Sequence, residues 1–507
     1  MRFRIKSDCV IAIFLAIIAI GMCAIKIVNQ QHAWSDDTAY IAQAIALANG
    51  TTAQYIADNT LMMTKSDWLI GPYAYPWGFP LLLAPLYKIF GFNIIAFKSV
   101  GIICYGLFVG IFYIFCAHRL PKIYAIFATL FFAINPYMTN FAANAIVSDI
   151  PFLLFGFIAL IVLAKLFGES RESLRKNGVA IAIFGGIFML FATMIRINGL
   201  VILCALIAMQ GILLAKRFAP KIFSAKILKP LSLIDSPYSW KIHAIPHIIF
   251  IVGFSIVSLT LSSGGSGHWS ELANISIDGI LHNLYSYSVR FSELFDLQKI
   301  DFALLALCLA PFLLLGIREC LKIGESSATI FYVIFACGFF ALLLLWLETF
   351  GLRFVFLLVP LLVFWSANGL AKAKKIYGYA MSVILLIILC SFVPLNMLDL
   401  EFKDKGGGRI SDVAVNKYSE ETMQIWEFIK QNTPSDSLII FIKPRTLYLN
   451  THRLSFATAK IERLDEADFV LWWAADFGKL NIFSKAFKAK TKLVFQNSEY
   501  KLFKVLK

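Results

Sequence analysis

VIAIFLAIIAIGMCAIKI, residues Val10 to Ile27, is an apolar run of eighteen residues. A helix rises about 1.5 Å per residue, so this run reaches ~27 Å, close to the hydrocarbon thickness of a bilayer. Arg2, Arg4 and Lys6 precede it, as they would precede a secretory signal. The run is longer than the ~7–15 apolar residues of a signal core, and no small-x-small cleavage site follows it. Met22 is too large for the position before a lipid-modified cysteine, so Cys23 is not read as a lipoprotein anchor. The stretch reads as a retained first membrane span.

The same pattern recurs along the chain. Apolar runs fall near 10–27, 93–117, 123–135, 150–167, 178–195, 199–215, 246–263, 302–317, 328–349, 354–371 and 377–397. This predicts about eleven transmembrane helices. The third run is short, and Asn135-Pro136 fits its end because proline disfavours helix in the residue before it. Composition agrees: of 507 residues, 59% are hydrophobic and 15% charged. Ordinary soluble domains carry roughly 25% charged residues. A water-soluble fold could not hide this much apolar surface.

The formal charge of +15 could suggest nucleic acid, but its distribution points elsewhere. Lysine and arginine cluster in short segments between spans, as in cytoplasmic loops. With the N-terminus in the cytoplasm, those loops hold Arg119 and Lys122; Arg171, Arg175 and Lys176; Lys216, Arg217, Lys221, Lys226, Lys229 and Lys241; and Lys372, Lys374 and Lys375. An odd number of spans then puts the tail outside. No nucleic-acid partner is expected. The nine cysteines lie in or beside spans, so neither a disulfide framework nor a zinc spacing is visible.

The expected organisation is a transmembrane domain over 1–398, with a large first outer loop at 28–92, and an extracytoplasmic α/β domain over 399–507. Within the loop, Pro76 to Gly91 carries prolines and flanking Trp and Tyr, and reads as an interfacial helix rather than a span. In the tail, Ser419-Glu-Glu before Met423, Trp426 and Ile429 reads as a capped amphipathic helix. Leu438–Ile442, Phe469–Trp473, Leu493–Phe495 and Tyr500–Val505 read as strands, with Gly406-Gly-Gly as a hinge. No internal repeat, P-loop or dinucleotide glycine motif is present.

Several polar residues stand out because of where they fall. Asp36 and Asp37 follow the first span in the outer loop. Adjacent carboxylates raise each other's pKa, and a carboxylate pushed towards neutrality makes a useful general base. The plainer role is that Asp36 caps a helix over Thr38–Ala48, with Asp37 in its first turn. Asp149 opens another span and is either an N-cap or first-turn acid, or it faces Asp36 from the same side, as an oxygen ligand for a divalent cation or as a second acid for orientation. Arg196 and Arg353 sit at the outer ends of their spans. An arginine so placed either snorkels to the headgroups or faces a polar interior, where it would bind phosphate bidentately. The seven histidines are scattered without a ligand spacing; His268 could touch substrate, though a solvated loop residue is the plainer reading.

Further short motifs share this order and sidedness. They are Asp36-Asp37 followed by Tyr40; Tyr75-Pro-Trp-Gly-Phe-Pro-Leu through Leu86-Tyr-Lys-Ile-Phe-Gly91; and Asn135-Pro136 with Ser148-Asp149-Ile-Pro151. Arg196-Ile-Asn-Gly-Leu and Arg353-Phe-Val-Phe-Leu-Leu-Val-Pro360 follow. The tail adds Trp426-Glu-Phe-Ile-Lys-Gln-Asn-Thr-Pro434, Pro444-Arg445, Tyr448 and Arg453. Together they resemble the C-type membrane glycosyltransferases (GT-C), in the group related to protein O-mannosyltransferases and lipid A aminoarabinose transferase. The chain departs from that group with Asp37 where glutamate is commoner and Phe354 where tyrosine is.

The resemblance implies an all-α polytopic membrane domain with a small C-terminal α/β domain. It implies transfer of a hexosyl or pentosyl unit from a polyprenyl-phosphate donor to a glycolipid (as in lipopolysaccharide), glycan or protein acceptor of the cell envelope, with inversion. Asp36 would deprotonate the acceptor, Asp149 would assist it or share a cation with it, and Asp37 would complete the acid pair. Arg196 and Arg353 would hold the donor phosphate, and Tyr40, Tyr75 and His268 would line the substrate. A flippase of lipid-linked sugars and a scaffold presenting the tail are the competing readings. The first would favour inverted repeats and mid-membrane sites, and the second leaves the acids and arginines without a reason.

Overall fold

The computed structural model describes residues 2–29, 36–68, 70–168, 177–218, 231, 234–261, 275–295, 302–322, 326–346, 351–373, 375–404, 420–474 and 480–507. In chain order the helices begin with α1 Arg2–Lys26, α2 Asp37–Asn49, α3 Thr52–Lys65 and α4 Gly78–Phe90. There follow α5 Ile94–Ala117, α6 Lys122–Ala133, α7 Pro136–Asn144, α8 Asp149–Leu163, α9 Gly178–Ile195 and α10 Leu200–Phe218. Next come α11 Trp240–Thr260, α12 Ile277–Phe291, α13 Phe302–Lys322, α14 Ser326–Leu344, α15 Val359–Lys372 and α16 Lys375–Asp404. The tail holds α17 Glu420–Asn432, β1 Leu438–Ile440, α18 Pro444–Thr451, β2 Leu454–Phe456, β3 Phe469–Trp473, α19 Lys485–Lys490, β4 Thr491–Gln496 and β5 Tyr500–Val505.

Two compact units emerge. Met1–Ile27, Lys98–Leu259 and Ser270–Val413 form the first; Val28–Phe97, Thr260–Trp269 and Ala414–Lys507 form the second. The segment expected to be the first outer loop therefore groups with the tail.

The first unit is helical. Among the described residues seven helices are long and apolar enough to cross a membrane, or eight with the bent pair α6–α7 counted as one. Each of the eleven expected runs overlaps a described helix, and the chain is an integral membrane protein. The third run does end at Asn135-Pro136, but a helix missed by the sequence reading follows at once. Asn135 accepts a hydrogen bond from the Met138 amide (2.9 Å) and caps α7, which is bent 48° from α6.

Close approach in this unit depends on small residues, as is usual between membrane helices. A Cβ on Gly316 of α13 would overlap the Trp365 carbonyl oxygen, and one on Gly369 of α15 would overlap the Phe312 carbonyl oxygen. Asn368 also donates to the Gly316 carbonyl (3.0 Å). Gly316→Ala must push two backbones apart, which overpacking data place at about 1–3 kcal/mol. The expected outcome is a lower melting temperature in detergent, with Gly211→Ala, where the space is open, as the neutral control.

The second unit has a five-stranded mixed sheet of order β2-β1-β3-β5-β4. β1 pairs parallel to β2 and β3, while β5 pairs antiparallel to β3 and β4. Side chains alternate across a strand, so Ile439 joins the core with Trp426 and Leu502, and Ile440 the core with Phe456 and Val470. β2 was missed because three residues carry little period-2 signal. α17 is amphipathic as expected, but Thr422, Ile425, Trp426 and Ile429 are buried and Met423 is exposed. Gly406-Gly-Gly lies outside the described residues.

α2 to α4 pack in this unit. α4 has thirteen residues and so reaches only ~20 Å, too short to span. It buries Phe79, Pro80, Leu83 and Ala84 and exposes Leu81, Ile89 and Phe90. The exit of α3 is tied to the tail: Asp67 pairs with Arg463 (2.6 Å) and accepts from Thr458 (2.6 Å), and Lys65 pairs with Glu466 (3.3 Å). The Thr458 hydrogen bond, helped by Arg463, holds Asp67 below the usual carboxylate range; hydrogen bonding to Arg463 brings Glu466 down to about 2. Depressed acids contribute stability that is complete above their unfolded values, near 4, and is lost as pH falls through the folded ones. Protease cleavage of the α3–tail region is expected to rise between pH 4 and 2 at low salt. Because these groups are exposed, high salt should shrink the change.

Candidate active site

In the second unit, Asp36 occupies the N-cap position of α2, yet its side chain makes no cap hydrogen bond. Instead its Oδ1 accepts from the Tyr75 hydroxyl at 2.7 Å. Gln43, two turns along α2, grips the backbone of Tyr75 twice: its Nε2 donates to the carbonyl (3.0 Å) and its Oε1 accepts from the amide (2.9 Å). Tyr40 lies between Tyr75 (ring centroids 4.5 Å) and Phe79 (5.0 Å). Burial, reinforced by the Asp36 charge, pushes the Tyr75 phenol well above its ordinary value, so it stays protonated as a donor. A hydrogen bond donated to a carboxylate favours the charged form, the one that can take a proton. Asp37 is fully buried in the first turn of α2, and Tyr40 is 4% exposed.

In the first unit, Asp149 opens α8 and is 2% exposed. Arg196, the residue that ends α9, donates from Nη1 to Asp149 Oδ1 and reaches Ser148 Oγ at 3.5 Å. Arg353, in a short 3₁₀ turn Leu352–Val355, brings Nη1 to 4.0 Å from Asp149 Oδ2. Both guanidiniums face the Phe354 ring, at 4.8 and 5.3 Å from its centroid. A buried carboxylate is retained at a bundle end only when paired, and here its partners are two arginines. His268 lies outside the described residues.

An apolar cavity of about 270 Å³ opens in the same unit. It runs along α6 from Tyr124 to Phe131 and is closed by Phe291, Phe295, Leu313, Val359, Leu370 and Leu389. Val359 begins the helix that follows Arg353, and Phe291 ends α12. Tyr287, one turn earlier on α12, is 1% exposed, and its hydroxyl has no hydrogen-bond partner among the described residues. Burial pushes this phenol up to about 12, with the Arg196 charge pulling against it.

Three features escaped the sequence reading. Tyr287 carries no signal beyond its place in a polar amphipathic stretch. Lys26 and Lys98 are buried among Thr139, Asn140 and Asn144, with Lys26 Nζ donating to Thr139 Oγ1 (2.9 Å) and Lys98 Nζ to Asn144 Oδ1 (3.4 Å). Their signal was legible, since a lysine inside an apolar run is costly to bury and seldom accidental. Among the described residues no group of three or more His, Cys, Asp or Glu could hold a metal.

Apolar spans joined in one chain to a small mixed sheet define a polytopic integral membrane protein with a small α/β domain. No family model and no curated protein sequence matches the chain. Solved structures do. ArnT from Cupriavidus metallidurans bound to undecaprenyl phosphate is similar with a TM-score of 0.56 at 10% identity, over 97% of each chain. AglB, the archaeal oligosaccharyltransferase from Archaeoglobus fulgidus, in complex with an inhibitory peptide and a dolichol-phosphate, gives 0.56 at 11% identity, over 99% of this chain and 74% of that one. The Archaeoglobus fulgidus oligosaccharyltransferase in complex with Zn and sulfate gives 0.55 at 13% identity, over 98% and 73%. The fold is that of the C-type membrane glycosyltransferases.

Proposed function

We propose that this protein transfers a sugar from a polyprenyl-phosphate donor to an acceptor outside the cytoplasm, with inversion at the anomeric carbon. The observation that carries the reading is the pair Arg196 and Arg353, both turned towards one buried carboxylate at a bundle end, with an apolar cavity starting one helix further on. Guanidinium binds phosphate bidentately, and an apolar cavity among membrane helices suits an isoprenoid chain. Solved proteins of the same fold hold undecaprenyl phosphate or a dolichol-phosphate, which supports the same ligand class.

In this reading Asp36, held by Tyr75, removes the acceptor hydroxyl proton as the oxygen attacks the anomeric carbon. The C–O bond to the donor breaks, and the lipid phosphate departs with the bonding pair. Arg196 and Arg353 stabilise that anion, and Asp149 keeps both arginines in place. No acid is needed for the leaving group, unlike glycoside hydrolysis, where a second carboxyl protonates the departing oxygen. A divalent cation held at either acid would take its remaining ligands from phosphate or water oxygens. The N-terminus is placed in the cytoplasm and the tail outside, following the loop lysines and arginines.

The test is incubation of the purified protein in nanodiscs with radiolabelled polyprenyl-phosphate sugars and envelope glycolipid, glycan or protein acceptors. Label in an acceptor supports the proposal. Label that crosses the bilayer of proteoliposomes while still on its lipid would overturn it in favour of a flippase.

A further inference from the structure

The Asp36 carboxylate is oriented by Tyr75, so what fixes Tyr75 also fixes the candidate base. Gln43 holds the backbone of Tyr75 from α2. A second hold comes from the tail. Arg445, in the first turn of α18, donates from Nε to Asn59 Oδ1 (3.1 Å) and from Nη2 to the Pro72 carbonyl. Asn59, fully buried on α3, donates from Nδ2 to the Pro72 carbonyl (3.2 Å) and to that of Tyr73. The guanidinium carbon of Arg445 lies 5.7 Å from the Tyr75 ring centre.

The backbone is shaped around this guanidinium. Gly71 has φ +121°, and a Cβ there would overlap Arg445 Nη1. The tail has other ties to the loop, Tyr448 to Asp58 (2.7 Å) and Arg463 to Asp67 (2.6 Å), neither of which touches residues 72–75. Arg445 is therefore not required merely to keep tail and loop together.

We infer that Arg445 is a positioning residue for sugar transfer: by holding Pro72 and Asn59 it fixes the Tyr75 phenol that orients the Asp36 carboxylate. This rests on the reading of Asp36 as the base. It also gives the tail domain a part in the chemistry, delivered through one arginine.

The test uses the full-length protein in nanodiscs with Arg445→Ala, Tyr75→Phe and the double variant. Small misplacements of a reacting group cost up to about 100-fold, so Arg445→Ala should lower kcat on the order of 10- to 100-fold, with KM for donor and acceptor within about twofold. Because both act through one phenol, the double variant should be no worse than Tyr75→Phe alone. Losses that multiply, or a loss carried by KM, overturn the inference. If Arg445→Ala does not purify, Arg445→Gln takes its place. A readout free of turnover is the ¹⁹F resonance of 3-fluorotyrosine at position 75, which should shift in the Arg445 variant. An unchanged resonance overturns the positioning role whatever the protein transfers. A shifted resonance in a protein that turns over no lipid-linked sugar upholds the positioning and sinks only the transferase reading.

Discussion

Asp36→Asn protein is expected to retain about a hundredth to a ten-thousandth of the wild-type transfer rate, the range that a general base contributes. The substitution is nearly isosteric, and an amide oxygen can still accept the Tyr75 hydroxyl that Asp36 accepts at 2.7 Å. Folding should survive, because the Asp36 side chain makes no helix-capping bond that could be lost. What disappears is the proton-accepting charge. Donor and acceptor KM should change little, since the loss falls on the transition state. Initial rates with a radiolabelled donor, together with an unchanged melting temperature, check this. Full activity in the variant would sink the base assignment.

Arg353→Ala should raise the donor KM by about 10- to 150-fold, the equivalent of the ~1.5–3 kcal/mol of a charged hydrogen bond. Arg353 is the cleaner of the two arginines to remove. At 4.0 Å from Asp149 Oδ2 it makes the looser contact, and Arg196 still holds the other carboxylate oxygen. Arg196→Ala would instead strip the hydrogen bond from a carboxylate that is 2% exposed, a loss of about 3–5 kcal/mol that would be confounded with unfolding. Isothermal titration with polyprenyl phosphate reads the donor term without turnover. Donor affinity unchanged in Arg353→Ala would show that its phosphate role is wrong.

The span positions were legible because transfer into a bilayer depends on one segment at a time. Val10–Ile27 needs no neighbour to be recognised, and neither do Gly178–Ile195 or the short α4. The tail strands Phe469–Trp473 and Tyr500–Val505 were legible for a similar reason, as each carries enough alternating apolar residues. β2 and α7 were not, because three residues in one and a polar nine-residue segment in the other lack a periodic signal. Asp36 and Asp149 could be singled out as acids at span ends. Whether each capped its helix or turned away was not in the local sequence, since both uses place the same residue at the same position.

By itself the sequence determined that the chain lives in a membrane, where its helices run, and which acids and arginines fall at span ends. Apolar length and charge placement are properties of short segments, and they add along the chain. Only the tertiary structure decided the partners: Asp149 with Arg196, 47 positions apart; Tyr75 with Asp36, 39 apart; and Arg445 with Asn59, 386 apart. Those pairings follow from how helices and sheet pack, where each buried charge or hydroxyl must find its counterpart, and packing is settled by the whole chain at once.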